Sequence, residues 1–174
     1  MIPHGGGKEH GMENMEWNIL PGYIREEEIR QLFAEYTDMV LAGDPAFAEY
    51  LAQQHYEEEL AHPARKYAPP HGRLYLVCSG STPVGCIALK ALDCDRCEMK
   101  RLYVRPEYRG RGIARALVRR LVQEARAAGY RQMVLDTFPF LQEAVTLYKQ
   151  EGFYEIAQYN DNPMPGSVYL CREL

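Results

Sequence analysis

Several features that would assign this chain to a class at sight are missing from it. No apolar run approaches the roughly 18 residues that a membrane helix needs, and a quarter of the 174 residues are charged. The opening Met1-Ile2-Pro3-His4-Gly5-Gly6-Gly7 lacks a basic segment followed by an apolar one, so neither a signal peptide nor membrane association is expected, and the cytoplasm is the expected location. Five cysteines, at positions 78, 86, 94, 97 and 171, are an odd, scattered set, which argues against a disulfide scaffold. Cys94 and Cys97 have C-x-x-C spacing. A structural zinc site would need a second ligand pair at short spacing, and there is none. A thioredoxin-type motif would open a helix, whereas this one leads into a β-type run. A turn between strands, without metal, is the expectation. The G-x-x-x-x-G-K-[ST] pattern of a Walker loop occurs nowhere.

What is present suits one globular domain. The length is enough to bury a core, and 47% of the residues are apolar. Charge is unevenly placed: ten of the 20 Lys and Arg lie between Lys100 and Arg131, and thirteen of the 24 Asp and Glu lie in the first 60 residues. A basic band in a chain of net charge -4 suggests a local anionic ligand more than a nucleic-acid surface. A solvated helix face accounts for Arg119, Arg120 and Arg126.

Periodicity supplies the elements. Residues 1–14 are rich in Gly and His without periodicity and read as a disordered tail before a domain over 15–174. Trp17–Leu20 reads as a short strand. Ile29, Leu32, Phe33, Tyr36 and Val40 recur at helical spacing between Glu26 and Leu41. Asp44-Pro45 starts a second helix, expected to run to Leu60 or Ala61, and a loop follows from Pro63 to Gly72. Strands are expected at Arg73–Cys78, Val84–Leu92 and Cys97–Val104, then a helix from Arg111 or Gly112 to Ala128. A strand over Gln132–Asp136, a helix over Leu141–Glu151 and a hairpin of Phe153–Tyr159 with Ser167–Cys171 complete the order β-α-α-β-β-β-α-β-α-β-β. There is no internal repeat.

The informative stretch runs from Tyr103 to Ala114. A strand ends, a loop carries Arg109, Gly110, Arg111 and Gly112, and a helix begins at once. Glycine lets the backbone turn tightly and approach a ligand closely. The first amides of a helix lack internal partners and lie at the positive end of its dipole, which favours phosphate. A dinucleotide fingerprint would need a third glycine where Arg115 stands.

Arg109-Gly110-Arg111-Gly112-Ile113-Ala114 matches [QR]-x-x-G-x-[GA], and here the chain resembles the GCN5-related N-acetyltransferases, the GNAT superfamily. Glu98–Val104 looks like that family's central strand, and Leu147–Phe153 resembles its L-Y-x-x-x-G-F element. The resemblance covers about residues 16 to 173. It implies a single-domain α/β GNAT fold, with a mixed central sheet splayed between its fourth and fifth strands and flanked by helices. It also implies acetyl-CoA as cosubstrate, an amine acceptor and direct attack in a ternary complex. By resemblance, the amides of Arg109, Gly110, Arg111, Gly112, Ile113 and Ala114 hold the coenzyme pyrophosphate, and main chain at Leu102, Tyr103 and Val104 pairs with the pantetheine. Tyr148 is the candidate acid and Glu98 the candidate base, acting directly or through water. One departure stands out: many members carry Asn where this chain has Leu141, so that pantetheine contact is absent or made differently.

The chemistry sets a demand. An alkyl amine of pKa near 10 is only about one part in a thousand neutral at pH 7, a cost of about 4 kcal/mol. A site must remove its proton and supply one to the departing thiolate. His55 and His62 fall near the expected acceptor pocket without a metal-ligand pattern. Tyr159, Asn160 and Asn162 are read either as lining that pocket or as turn formers. Two other classes are open: a non-catalytic acyl-CoA sensor on the same fold, and a nucleic-acid-binding domain built on the basic band, which the interleaved glycines disfavour. The acceptor's identity and the choice between monomer and homodimer are not written in the sequence.

Overall fold

A computed structural model describes residues 16–174; the tail expected over 1–14 lies outside the described residues. The alternating runs become β1 (Trp17–Pro21), β2 (Arg73–Ser79), β3 (Thr82–Ala91) and β4 (Arg96–Val104), each antiparallel to its neighbour. Next to β4 lies β5 (Gln132–Thr137), followed by β7 (Val168–Glu173) and the two-residue β6 (Tyr154–Glu155). The order is β1-β2-β3-β4-β5-β7-β6, and β4 with β5 is the parallel pair. Those two strands pair only from Arg96 to Glu98 against Gln132 to Val134. Beyond that, β4 and β5 run on unpaired with each other and a gap opens between them, as the expected fold requires.

Helices cover both faces. One face carries α5 (Ile113–Ala127) and α6 (Gln142–Gln150). The stripe of Ile113, Leu117, Val118, Leu121, Val122 and Ala125 on α5 is buried. Each large aliphatic there contributes on the order of 1.5–3 kcal/mol. That far exceeds the ~1 kcal/mol a side-chain N-cap would add, and α5 has no such cap. Its first turn is therefore left open at a cost that the buried stripe outweighs. The opposite face carries α1 (Glu26–Gly43), packed through Ile29, Leu32 and Phe33 on Leu74, Leu76 and Cys86.

Two expectations change in detail. The long second helix is broken into α2 (Phe47–Gln53) and α3 (Tyr56–Ala61), and the following loop contains α4 (Pro63–Tyr67). His55 makes the break in a left-handed conformation, φ 54°. The break lets the two segments aim different faces inward: Tyr50 reaches Asp136 at 2.7 Å, while Tyr56 reaches the Phe33 carbonyl at 3.0 Å. The final hairpin is also shorter than expected. The ladder ends where the Ile156 amide donates to the Tyr169 carbonyl at 2.9 Å, and the chain beyond it carries Tyr159 onto Glu98 and Asn160 and Asn162 onto Asp136.

Strand β4 contains a bulge. Lys100 faces Ala88 and Tyr103 faces Cys86, so Arg101 and Leu102 both stand opposite Ile87. Arg101 takes φ 59°, in the left-handed region, a conformation that costs a non-glycine residue on the order of 1–3 kcal/mol. The side chain secures it. The Arg101 guanidinium meets Glu59 at 2.8 Å and 3.1 Å and Gln54 at 3.1 Å, with Tyr36 and Tyr56 rings beside it. Burial alone would raise the Glu59 carboxyl, but Arg101 and then Lys66 outweigh it and hold the pKa at about 2.

Candidate active site

The loop between β4 and α5 is built to leave amides free. A single turn of 3-10 helix at Pro106–Tyr108 swings the chain round, and Gly110 and Gly112 take φ 74° and 77°. An added Cβ would meet nothing within 4 Å at either glycine, so the positive φ, not crowding, is what favours glycine there. The amides from Gly110 to Arg115 have no acceptor among the described residues; the first paired one is Ala116, bonded to the Gly112 carbonyl. Consecutive free amides at a helix start suit a phosphate or pyrophosphate. The predicted residues Arg109, Gly110, Arg111, Gly112, Ile113 and Ala114 are thus brought together. The two arginines lie back on the chain: Arg109 Nε donates to the Val104 carbonyl at 2.9 Å, and an Arg111 amino group to the Glu107 carbonyl at 3.1 Å. Both side chains are exposed, and the amides of Gly110 and Gly112 stay free beside them.

A groove of about 650 Å³ starts at this loop, with Leu102, Tyr103 and Val104 on one wall and Leu141, Ala144 and Leu147 on the other. A second, smaller cavity occupies the gap between β4 and β5, where Leu102, Leu141 and Ala144 recur as a shared wall. Tyr148 lines the small cavity. Its hydroxyl has no hydrogen-bond partner among the described residues. Burial, and then Tyr36 and Asp136, push its pKa well above the ordinary phenol value, so it stays protonated. Leu141 stands at the N-terminal boundary of α6 without a side-chain cap.

Glu98 lies elsewhere. It is 2% exposed, and its Oε2 accepts from the Tyr159 hydroxyl at 2.6 Å. Lys90 and Lys100 stand 3.4 Å and 3.5 Å from Oε1, and the carboxylate is not on the cavity wall. The wall instead presents Asp136, which sequence reasoning did not single out. Its Oδ2 accepts from Tyr50 at 2.7 Å, Asn160 at 3.1 Å and Asn162 at 3.0 Å. Burial works to raise its pKa, but Lys100 and these donors outweigh it and keep the carboxyl below its ordinary range. Asn160 and Asn162 therefore back Asp136 from the returning loop without lining the cavity. The available signal was a charged residue ending the apolar run Met133-Val134-Leu135. Of the histidines, His55 sits at the break between α2 and α3, and His62 precedes α4. Cys94 is exposed in the turn between β3 and β4, as expected, and Cys97 is buried in β4.

Comparison with known proteins gives this arrangement a family. Residues 27–153 match the model of the Acetyltransferase (GNAT) family. The chain belongs to that family. An uncharacterised N-acetyltransferase of Schizosaccharomyces pombe is 44% identical over 131 residues, covering 74% of this chain and 80% of its own length. N-acetyltransferase 8F1 of Rattus norvegicus is 37% identical over 123 residues, 68% of this chain, which spans 55% of that protein. Among solved structures, the PaiA N-acetyltransferase of Thermoplasma acidophilum in complex with coenzyme A superposes with a TM-score of 0.73 at 18% identity, over 92% of this chain and all of the other. That last likeness speaks to the fold. Among the described residues no helix is long and apolar enough to cross a membrane.

Proposed function

We propose that the chain transfers the acetyl group of acetyl-CoA to an amine of a small molecule or peptide by direct attack within a ternary complex. The observation that carries this reading is the shared wall. The groove that begins at the free amides and the cavity that holds Tyr148 meet at Leu102, Leu141 and Ala144. A donor held by its pyrophosphate at one end thus has its reactive end at the gap.

The residues present fit the coenzyme. The amides from Gly110 to Arg115 would hold the pyrophosphate, and the β4 edge from Leu102 to Val104 and the α6 wall would flank the pantetheine. The Val104 carbonyl is occupied by Arg109, so that side chain must swing aside wherever the pantetheine pairs with it. Bound there, acetyl-CoA supplies an activated acyl group. The amine nitrogen bonds to the acyl carbon as the carbon–sulfur bond breaks. Tyr148 donates its proton to the departing sulfur, a role suited to a phenol that burial keeps protonated. The acceptor sheds two protons towards the carboxylate side of the gap, its ammonium proton before attack and a second as the amide forms, and one proton returns to Tyr148. Glu98, set behind Lys100 and Tyr159, serves as the sink through intervening groups rather than by contact.

The test is free-thiol release from acetyl-CoA against a panel of amino acids, polyamines, aminoglycosides and peptides. Release with at least one amine is expected. Tight coenzyme binding without release from any would establish the sensor reading instead.

A further inference from the structure

The cavity between β4 and β5 ends on one carboxylate with an oxygen to spare. Asp136 Oδ2 is saturated by Tyr50 from α2 and by Asn160 and Asn162 from the returning loop. Its Oδ1 accepts no hydrogen bond from the described residues and is not among the buried orphan atoms. The three donors come from segments far apart in sequence. They fix the plane of the carboxylate and leave one oxygen free at the wall.

The other formal charges on that wall are already answered. Lys100 Nζ lies 3.2 Å from Gln54 Oε1 and 3.5 Å from Glu98 Oε1, and its charge also acts on Asp136 without a hydrogen bond to it. Arg101 is forked onto Glu59 at 2.8 Å and 3.1 Å. The space itself is small, about 50 Å³. A single water requires roughly 10–15 Å³ by this measure. The cavity therefore admits the amino end of a molecule and not its body, between Asp136 and aromatic side chains such as Tyr36 and Phe47.

We propose that Asp136 is the docking carboxylate for the acceptor, its Oδ1 accepting an N–H hydrogen bond from the amino end of a primary alkyl amine carried on a larger molecule. The assignment rests on the reading of the chain as an N-acetyltransferase and deepens it by naming the residue that positions the acceptor. An alkyl amine enters mostly as the ammonium, which a buried anion favours through a charge-assisted bond. An aryl amine is neutral at pH 7 and offers only an ordinary N–H. Asp136 thus positions the acceptor and selects for charge, while Tyr148 handles the leaving group.

The experiment measures amine binding without turnover. The chain is saturated with coenzyme A, which carries no acetyl group, and titrated calorimetrically with n-butylamine and separately with aniline. Asp136→Asn should weaken n-butylamine at least tenfold, aniline less than threefold and coenzyme A itself less than twofold. Equal weakening of both amines, or unchanged n-butylamine binding, overturns the proposal. Should Asp136→Asn fail to fold by circular dichroism, Tyr50→Phe substitutes, since it removes one donor from Oδ2 and keeps the charge. It should weaken n-butylamine about threefold, and no change would overturn the proposal. Thiol release from acetyl-CoA with n-butylamine separates the two readings. Asp136-dependent binding without release by the unaltered chain removes the transferase reading and leaves the docking role. Release that Asp136→Asn does not alter removes the docking role and leaves the transferase.

Discussion

The two sides of the gap between β4 and β5 present different chemistry from different sources. On the side proposed for the donor the offered groups are main-chain amides, from one continuous segment between Gly110 and Arg115. On the side proposed for the acceptor they are side chains: Tyr50, Lys100, Asp136 and Tyr148, with Asn160 and Asn162 behind. Main chain cannot be mutated away, only bent. A donor site of this kind is fixed by a few φ angles, whereas the acceptor side depends on several separate segments arriving together. The donor side should therefore tolerate most side-chain changes and the acceptor side few.

The contrast is broken most severely at Glu59. Glu59→Gln leaves the buried Arg101 guanidinium without its charge partner and should cost about 3–5 kcal/mol in urea unfolding. Its pH signature has a definite sign. A carboxyl held at about 2 against an ordinary 4.5 contributes stability above the ordinary value, and that stability is lost as pH falls through the interval towards 2. Acid titration of the unfolding free energy should be flatter over that interval in the variant. Tyr148→Phe comes next. It should lower kcat about a hundredfold or more while coenzyme A affinity, measured by calorimetry, stays within twofold. An unchanged kcat would remove Tyr148 from the chemistry. On the donor side, Gly112→Val forces a β-branched residue into the left-handed region and should weaken coenzyme A about tenfold. Replacing Arg111 with Ala beside it should cost less than threefold, because that guanidinium lies back on the Glu107 carbonyl. The smallest effect is expected from Leu141→Asn, which restores the residue many family members carry. A gain in coenzyme A affinity of up to about threefold would show that the missing contact is worth no more than one exposed hydrogen bond.

The same contrast explains what could be read in advance. The loop of free amides was legible because everything it needs is consecutive: the end of a strand, two glycines and an amphipathic helix. The strands from Arg73 to Val104 were legible for the same reason, since alternation is a local signal. Asp136 was not. It acquires meaning only when α2 and the loop after Glu155 bring Tyr50, Asn160 and Asn162 to it, and no spacing in the chain announces such a meeting. The break at His55 was hidden for a related reason. The segment from Phe47 to Ala61 contains no Gly or Pro to announce a stop, and only the need to send Tyr50 and Glu59 to different partners divides it. Glu98 and Tyr148 were both picked out by position in the family pattern. Tyr148 stands on the cavity wall and Glu98 behind it, because Glu98 lies where β4 and β5 are still paired.

The bulge at Arg101 can be regarded as a phase shift. Before it, Cys97 and Met99 point to the α5 face; after it, Leu102 and Val104 do, while Tyr103 packs with α1. Strike Arg101 from the strand and the inward and outward positions alternate without interruption. The extra residue therefore adds nothing to the packing rhythm of β4. It lifts the strand out of step with β3 beside the gap, where Leu102 begins the wall shared by the two cavities. A chain shortened by that one residue, with Glu59 neutralised to match, would keep the rhythm of its sheet and lose the offset that sets Leu102 beside the gap.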